Sequence, residues 1–448
     1  MAMTKSDMLH IVRFIDLEKW SAHDTVFDNM GNRFPLVPLS KVLKRVKEPI
    51  LIEDGTLYKR ITVRLYGQGV LQRDKVLGKE IGTKRQFIAH AGQLIISRID
   101  ARNGAFGIVP SELEGAIVTN DFWLFEVQNA LPEYLMLVLS SEPFQKYWQT
   151  QSSGTTNRQR VSESDFLSSR IILPPKTDQF ELLSKYHAAV KKADYADKEA
   201  TKTLENLNNK ICEIMDVSFV TSSLKGIFSQ VSFRHLSRWD PTYLASRVVV
   251  QSKYPMVPLS RVINHFLVDN DGQSLRHNTK DEENHTYQYI GMEHIEKNTG
   301  RRTPKVVQGS EILSQTLSVP EGYMIYGKLR PYLNKYWENK TRNEDIICSS
   351  EFFVFDTTGV DRDYFVAVLS SEIVQRQLPS LYSGARMPRI TEDDFFSLLI
   401  PFPPERIQKD IALLSRKERE KGDSLQSSAI SIRQSAKREF EEAVFGEI

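Results

Sequence analysis

Short apolar runs separated by polar turns dominate two long stretches of the chain. QLIISRI at 93–99 follows Gly92, YMIYGKL at 323–329 follows Gly322, and FWLFEV at 122–127 and FFVFD at 352–356 are equally rich in aromatic and β-branched residues. Runs of this length and composition, bounded by glycine, predict strands. The period changes after Leu173-Pro174-Pro175 and again after Phe402-Pro403-Pro404. Proline suits the start of a helix and breaks its interior, so each pair predicts a helix just beyond it. In the first helix Leu183, Val190, Leu204 and Ile211 fall on one heptad seam, with Asp197 as the missing step. Tyr186, Ala193, Ala200, Leu207 and Ile214 form its companion without a break. A lone surface helix needs no such double seam; a helical partner does. The second helix, from about Arg406 to Phe445, begins a seam at Ile411 and Leu414. It is interrupted by charge over 416–421 and resumes at Leu425, Ile432, Ala436 and Phe440. The expected partner of each helix is the other.

The two stretches are copies. FPLVPLSKV at 34–42 returns as YPMVPLSRV at 254–262, LEKW at 17–20 as LSRW at 236–239, and LVLSSE at 137–142 as AVLSSE at 367–372. SGTTNRQRVSESDF at 153–166 then returns as SGARMPRITEDDF at 383–395, and the proline pairs follow. Matches that keep one order over so long a span mark an internal repeat. The expected architecture is α+β: two tandem α+β domains, each followed by a long helix, the helices pairing as an antiparallel coiled coil. The expected boundaries are a first domain over 1–175, a helix over 176–215, a linker and second domain over 216–404, and a second helix over 405–448.

Composition narrows the chemistry. Of 448 residues 40% are hydrophobic and 26% charged, an ordinary folded balance. The 59 basic against 57 acidic residues leave a net charge of +2, so attraction to an acidic polymer must come from local clusters. Cys212 and Cys348 suggest neither a redox pair nor a zinc site, and no apolar run approaches the length of a membrane span. A cytoplasmic protein with reduced thiols is expected. There is no phosphate-binding P-loop. Gly67-Gln68-Gly69 begins a dinucleotide fingerprint but has Gln72 where a third glycine belongs. The histidines lack metal-ligand spacing. The proline pairs lack the polar and aromatic neighbours with which nucleic-acid amino-methyltransferases clamp a target amino group. A non-enzymatic chain is expected, with no catalytic residue, metal or cofactor of its own.

What remains is a binding surface. Lys59, Arg60 and Arg64 interleave with Tyr66 and Gln68, and Arg98, Arg102 and Asn103 follow a strand in SRIDARNG. The second copy carries Lys328, Arg330, Tyr332, Asn334 and Lys335 in GKLRPYLNK. The loops at 153–160 and 383–389 add Arg158, Arg160, Arg386 and Arg389. Arginine and asparagine pair bidentately with guanine and adenine edges, while lysine mainly holds phosphates. Recurrence at equivalent places in both copies points to double-stranded DNA, an extended ligand with two separated sites. Two other classes stay open at this level: a coiled-coil scaffold without sequence readout, and a self-contained methyltransferase or nuclease.

RWDP at 238–241, GYMIYGKLRPYLNK at 322–335, the SGTTNRQRVS and SGARMPRI loops, the proline pairs and the two long helices together resemble the specificity subunits of type I restriction-modification systems. The resemblance covers nearly the whole chain. It implies two target recognition domains, each reading half of a split, asymmetric DNA sequence, with the helices as a ruler between them. It also implies that catalysis lies on partners. These would be two modification subunits that bind S-adenosylmethionine and methylate adenine, and an ATP-driven restriction subunit. In the first copy SRIDARNG stands where the second has KLRPYLNK, so contacts carry over less directly there.

Overall fold

The computed structural model describes residues 34–446 except 66, 68, 100–103, 151–161, 222–246, 265–273, 278–283, 313, 343–344 and 383–386, and residues 147–150 in their backbone only. The LEKW, LSRW and RWDP words lie outside the described residues. Contacts divide the chain into two units: one joins the chain up to Ala196 with Ser427 onward, and the other is the continuous stretch Asp197–Gln426. This division falls inside both long helices rather than at their starts. Each unit takes one stretch of each long helix, because the helices bury their seams against each other as well as against the domains.

The first unit opens with β1 (Leu36–Pro38), β2 (Leu43–Val46), β3 (Pro49–Leu51), β4 (Leu57–Val63) and β5 (Val70–Leu77). It continues with β6 (Arg85–Ala89), β7 (Leu94–Ser97), β8 (Phe106–Ile108), β9 (Ala116–Val118) and β10 (Phe122–Val127). Helices α1 (Pro132–Ser140), α2 (Glu142–Thr150) and α3 (Glu163–Ser168), strand β11 (Arg170–Ile172) and helix α4 (Lys176–Ile214) follow. The sheets have the orders β2-β10-β7-β8, β3-β6-β9-β4-β5 and β1-β11.

In the second unit a hairpin of β12 (Ser218–Thr221) and β13 (Val248–Gln251) precedes β14 (Met256–Pro258), β15 (Ile263–Asn264), β16 (Arg276–His277) and β17 (Thr286–Ile290). Next come β18 (Val306–Gln308), β19 (Thr316–Ser318), β20 (Met324–Gly327), β21 (Tyr336–Glu338), β22 (Ile346–Ser349) and β23 (Phe352–Thr357). Helices α5 (Arg362–Leu369), α6 (Glu372–Gln375) and α7 (Glu392–Phe396), strand β24 (Leu399–Pro401) and helix α8 (Glu405–Phe445) end the chain. The sheets are β15-β23-β20-β21, β16-β19-β22-β17-β18 and β14-β24. Apart from the β12–β13 pair this is the first unit's strand order again, including the parallel pairing of β4 with β9 and of β17 with β22.

The repeat reaches into single hydrogen bonds. Gly92 and Gly322 both take φ +82° ahead of β7 and β20, a conformation glycine adopts without steric cost. The buried Tyr134 Oη donates to the Ile172 carbonyl at 2.9 Å, and Tyr364 Oη donates to that of Pro401 at 2.6 Å. At the two helix starts Gln179 and Gln408 repeat one bracket. Each Nε2 donates to the carbonyl of the first proline of the pair, and each Oε1 accepts the backbone N–H at the start of α1 or α5. The bracket satisfies backbone groups that a buried helix start would leave unpaired.

In the first unit Tyr186 of α4 packs on Phe440 of α8 at 6.3 Å and Asp194 pairs with Arg433 at 2.6 Å, so the two stretches run antiparallel. Phe440, Val444 and Phe445 are part of the same apolar cluster as Tyr134, Leu135 and Phe166. In the second unit Lys210 pairs with Glu418 at 3.0 Å, again antiparallel. The seam of α8 is not broken by the charges at 416–421 as the spacing predicts. Ser415, Gly422 and Ala429 are buried there, small enough to let the helices approach. No helix among the described residues is long and apolar enough to cross a membrane.

Candidate nucleic-acid interface

In each unit backbone geometry gathers the loops that carry or flank the described candidate residues, with Lys59 and Arg60 on β4 itself. In the first, the β4–β5 turn and the β7–β8 loop are joined by a hydrogen bond from Gly67 N to Gly104 O at 2.8 Å, with φ of +66° and +68° at the two glycines. In the second, the β17–β18 connection and the β20–β21 loop are joined by Asn298 N to Asn334 O at 3.2 Å, with φ of +64° and +48°. A third segment closes on the β20–β21 loop: Arg330 N donates to Pro388 O at 2.7 Å and Ile390 N to Lys328 O at 3.1 Å.

The side chains on these loops divide by what already holds them. Arg60 forms a two-bond ion pair with Asp74 across β4–β5, both contacts at 2.7 Å, which raises the guanidinium pKa and lowers that of the carboxyl. Lys59 donates to the Glu112 carbonyl at 2.9 Å. Arg98 lies over the Trp123 ring at 5.7 Å and Lys328 over Phe353 at 5.0 Å, and each donates to a carbonyl of the turn before that ring's strand, Asn120 or Ser350. Burial pushes the Lys328 ammonium below its ordinary pKa. This is one structural device used twice, a cation that caps an aromatic of the core. Lys335 donates to the Met292 carbonyl and is also lowered by burial. Arg389 is held by Glu351 through contacts at 3.0 and 2.7 Å.

Asn334 requires a correction. It is 2% exposed, and its Nδ2 donates to the Ser370 carbonyl at 2.9 Å. It cannot reach a base edge from there. Its place in the first copy is held by Gly104, and asparagine serves because it tolerates the left-handed backbone that the end of the loop requires. Lys335, read from the sequence as a phosphate contact, donates one ammonium proton to the Met292 carbonyl.

Three candidates remain open to a ligand. Arg64 is exposed just beyond β4, with its backbone N–H bonded to Gly69 O. Arg330 is exposed and left-handed at φ +51°, although it precedes a proline. Such a backbone costs about 1–2 kcal/mol for a side chain with a Cβ, and the Pro388 clamp holds it in place. Tyr332 is 48% exposed and leans on Tyr382 at 6.1 Å. Met387, 56% exposed and next to Pro388, joins this surface without having been singled out in the sequence. Its position inside SGARMPRI, between two arginines, was the available signal. Tyr66, Gln68, Arg102, Asn103, Arg158, Arg160 and Arg386 lie outside the described residues. Among the described residues no group of three or more His, Cys, Asp or Glu is placed to hold a metal ion.

No curated protein matches the chain by sequence. Among solved structures, one chain from a study of the complex assembly and conformational transition of the type I R-M system is 14% identical, with TM-score 0.46, over 93% of this chain and 98% of that one. The HsdS subunit from Thermoanaerobacter tengcongensis is 14% identical with TM-score 0.38, covering 93% and 97%. The type I restriction-modification S subunit from M. genitalium is 10% identical with TM-score 0.38, covering 94% and 98%. Residues 37–213 match the family model of the type I restriction modification DNA specificity domain. That stretch, which holds the first set of sheets and its long helix, is similar to the type I restriction modification DNA specificity domain.

Proposed function

We propose that the chain is the DNA sequence-specificity subunit of a type I restriction-modification complex, with one domain reading each half of a split, asymmetric target. The observation that carries this reading is the repetition. Apart from the β12–β13 pair the second unit has the strand order of the family-matched first, and gathers its loops by an equivalent backbone hydrogen bond. Two copies of one reader suit a duplex, which offers successive sites along one axis. The second loop cluster pairs a cation with aromatic and apolar groups, Arg330 with Tyr332 and Met387, and Arg64 stands exposed at the first. Such clusters meet phosphates and base edges together. The unlike loops of the two copies make the half-sites unlike.

Adenine methylation and cleavage fall to partners in this reading. Modification subunits, two per complex, supply S-adenosylmethionine, and a restriction subunit supplies ATP-driven translocation. The chain itself carries no cofactor and performs no catalytic step, and the complex works on cytoplasmic DNA. The test exchanges residues 34–175 for the equivalent domain of another family member and maps methylated adenines across the genome. A change in one half-site alone is expected. A change in both halves, or in neither, refutes one domain per half-site. Retention of sequence-independent binding with no methylated motif favours the scaffold alternative.

A further inference from the structure

Arg419 lies on α8 within the second unit, far along the sequence from any reading loop, and every described partner of its guanidinium is a neutral hydroxyl. Nη1 donates to Tyr336 Oη at 2.5 Å, Nη2 to Ser370 Oγ at 2.6 Å and Nε to Ser415 Oγ at 3.1 Å, while the guanidinium stands over the Tyr336 ring at 5.6 Å. An ion pair would be the usual way to hold a half-buried arginine. Here three hydroxyls in fixed directions hold it, which favours orientation over attraction.

Two of those hydroxyls lead to the β20–β21 loop. Tyr336 is the first residue after it. Ser370, at the end of α5, accepts the Asn334 side-chain amide on its backbone carbonyl, and Asn334 closes the loop that presents Arg330 and Tyr332. Arg419, Ser370 and Asn334 also line a cavity of about 530 Å³, and the buried Asn334 Oδ1 has no hydrogen-bond partner among the described residues. The helix and the loop are therefore joined at this point by directed hydrogen bonds.

Among the described residues the first copy has no such link. Counting from the proline pairs and from β7, the equivalent positions hold Val190 for Arg419, Phe106 for Tyr336 and Gly104 for Asn334, and only Ser140 matches Ser370. Valine, phenylalanine and glycine cannot form these bonds. The copies share a fold and differ in whether the helix grips the reading loop.

We infer that Arg419 is a positioning residue for the second reading domain, orienting the β20–β21 loop from the spacer helix and sharpening discrimination in one half-site only. This rests on the proposed reading of that loop as a DNA contact. The test uses the full complex with its modification subunits and the variants Arg419→Met and Tyr336→Phe; the second leaves the guanidinium in place and removes one acceptor. Methylation rates are compared between the cognate duplex and duplexes with one base pair changed in either half. Amide exchange over 98–105 and 328–335 is followed without DNA.

Arg419→Met is expected to lower discrimination about tenfold in a single half-site, the size of one loosened base contact. The other half-site should stay unchanged, exchange should speed up only in 328–335, and Tyr336→Phe should show a smaller effect of the same pattern. Equal loss in both halves, or faster loop exchange with discrimination intact, overturns the inference. A wild-type complex with no split-site preference would refute the recognition reading itself, and this inference with it. That outcome is recognisable from the wild type alone.

Discussion

Replacing Asn334 by alanine and by glycine tests the left-handed reading of the β20–β21 loop through the order of two effects. Alanine removes the bond to the Ser370 carbonyl and leaves that acceptor, in a residue 9% exposed, without its partner, at roughly 1–3 kcal/mol. It also places a Cβ with no compensating amide at φ +48°, for about 1 kcal/mol more. The expected total is about 2–4 kcal/mol. Glycine loses the same bond but is at ease in this backbone, as Gly104 is at φ +68° in the first copy. Part of that relief is offset by the greater freedom of an unfolded glycine, leaving it about 0.5–1 kcal/mol better than alanine. In a helix or strand the order would be the reverse. Amide exchange over Met324–Glu338 reads the local free energy directly, each tenfold change in the opening equilibrium being about 1.4 kcal/mol. If alanine equals or surpasses glycine, the argument from backbone conformation is wrong. If instead Asn334→Ala leaves loop exchange unchanged and relaxes one base position, the residue reads DNA after all.

Arg330→Ala should relax discrimination at one base pair by about 1–3 kcal/mol, while Lys335→Ala, which removes a bond to Met292 O, should raise urea sensitivity instead of weakening all duplexes alike. Gly422→Ala should stabilise the second unit by about 0.5–1 kcal/mol, read as a higher urea midpoint. A Cβ there would meet nothing closer than 3.9 Å and helix interiors disfavour glycine; a lower midpoint would mean the seam is tighter than its geometry. His90 bridges Glu114 at 2.6 Å and Glu48 at 2.8 Å, and hydrogen bonds to those two carboxylates raise its pKa. Its advantage over His90→Gln should therefore be complete below about pH 6.5 and disappear as pH rises through the higher folded value. A midpoint difference that grows with pH would contradict that sign.

The repeat, the strand runs and the helices could be read from sequence because apolar period and proline position determine them locally. The double seam predicts the burial of Leu183, Ala193, Ala200, Leu207 and Ile211, all of which are buried. The continuation of the second seam through Ser415 and Gly422 was not legible. Small residues in a close helix contact carry no hydrophobic signal, although they pack as surely as leucine. The candidate site was legible as loops and not as side chains. Composition marks Arg60, Arg389 and Lys335 as available charges, yet their partners Asp74, Glu351 and Met292 lie up to dozens of residues away and meet them only in the fold. Asn334 misled for a different reason. The residue type that reads adenine also tolerates a left-handed turn, and only the comparison with Gly104 separates the two.

The division of the chain has a consequence for synthesis. The second unit is one continuous stretch, whereas the first waits for Ser427 onward, whose Phe440, Val444 and Phe445 complete its main apolar cluster. A ribosome emits the chain in order at about 5–20 residues per second, so the earlier domain emerges first and is finished last, after a delay of roughly ten to fifty seconds. During that interval the faces of Tyr134, Leu183 and Tyr186 that receive α8 lack their cover. A nascent-chain chaperone, or a slowly translated final segment, would act on this unit rather than on its twin.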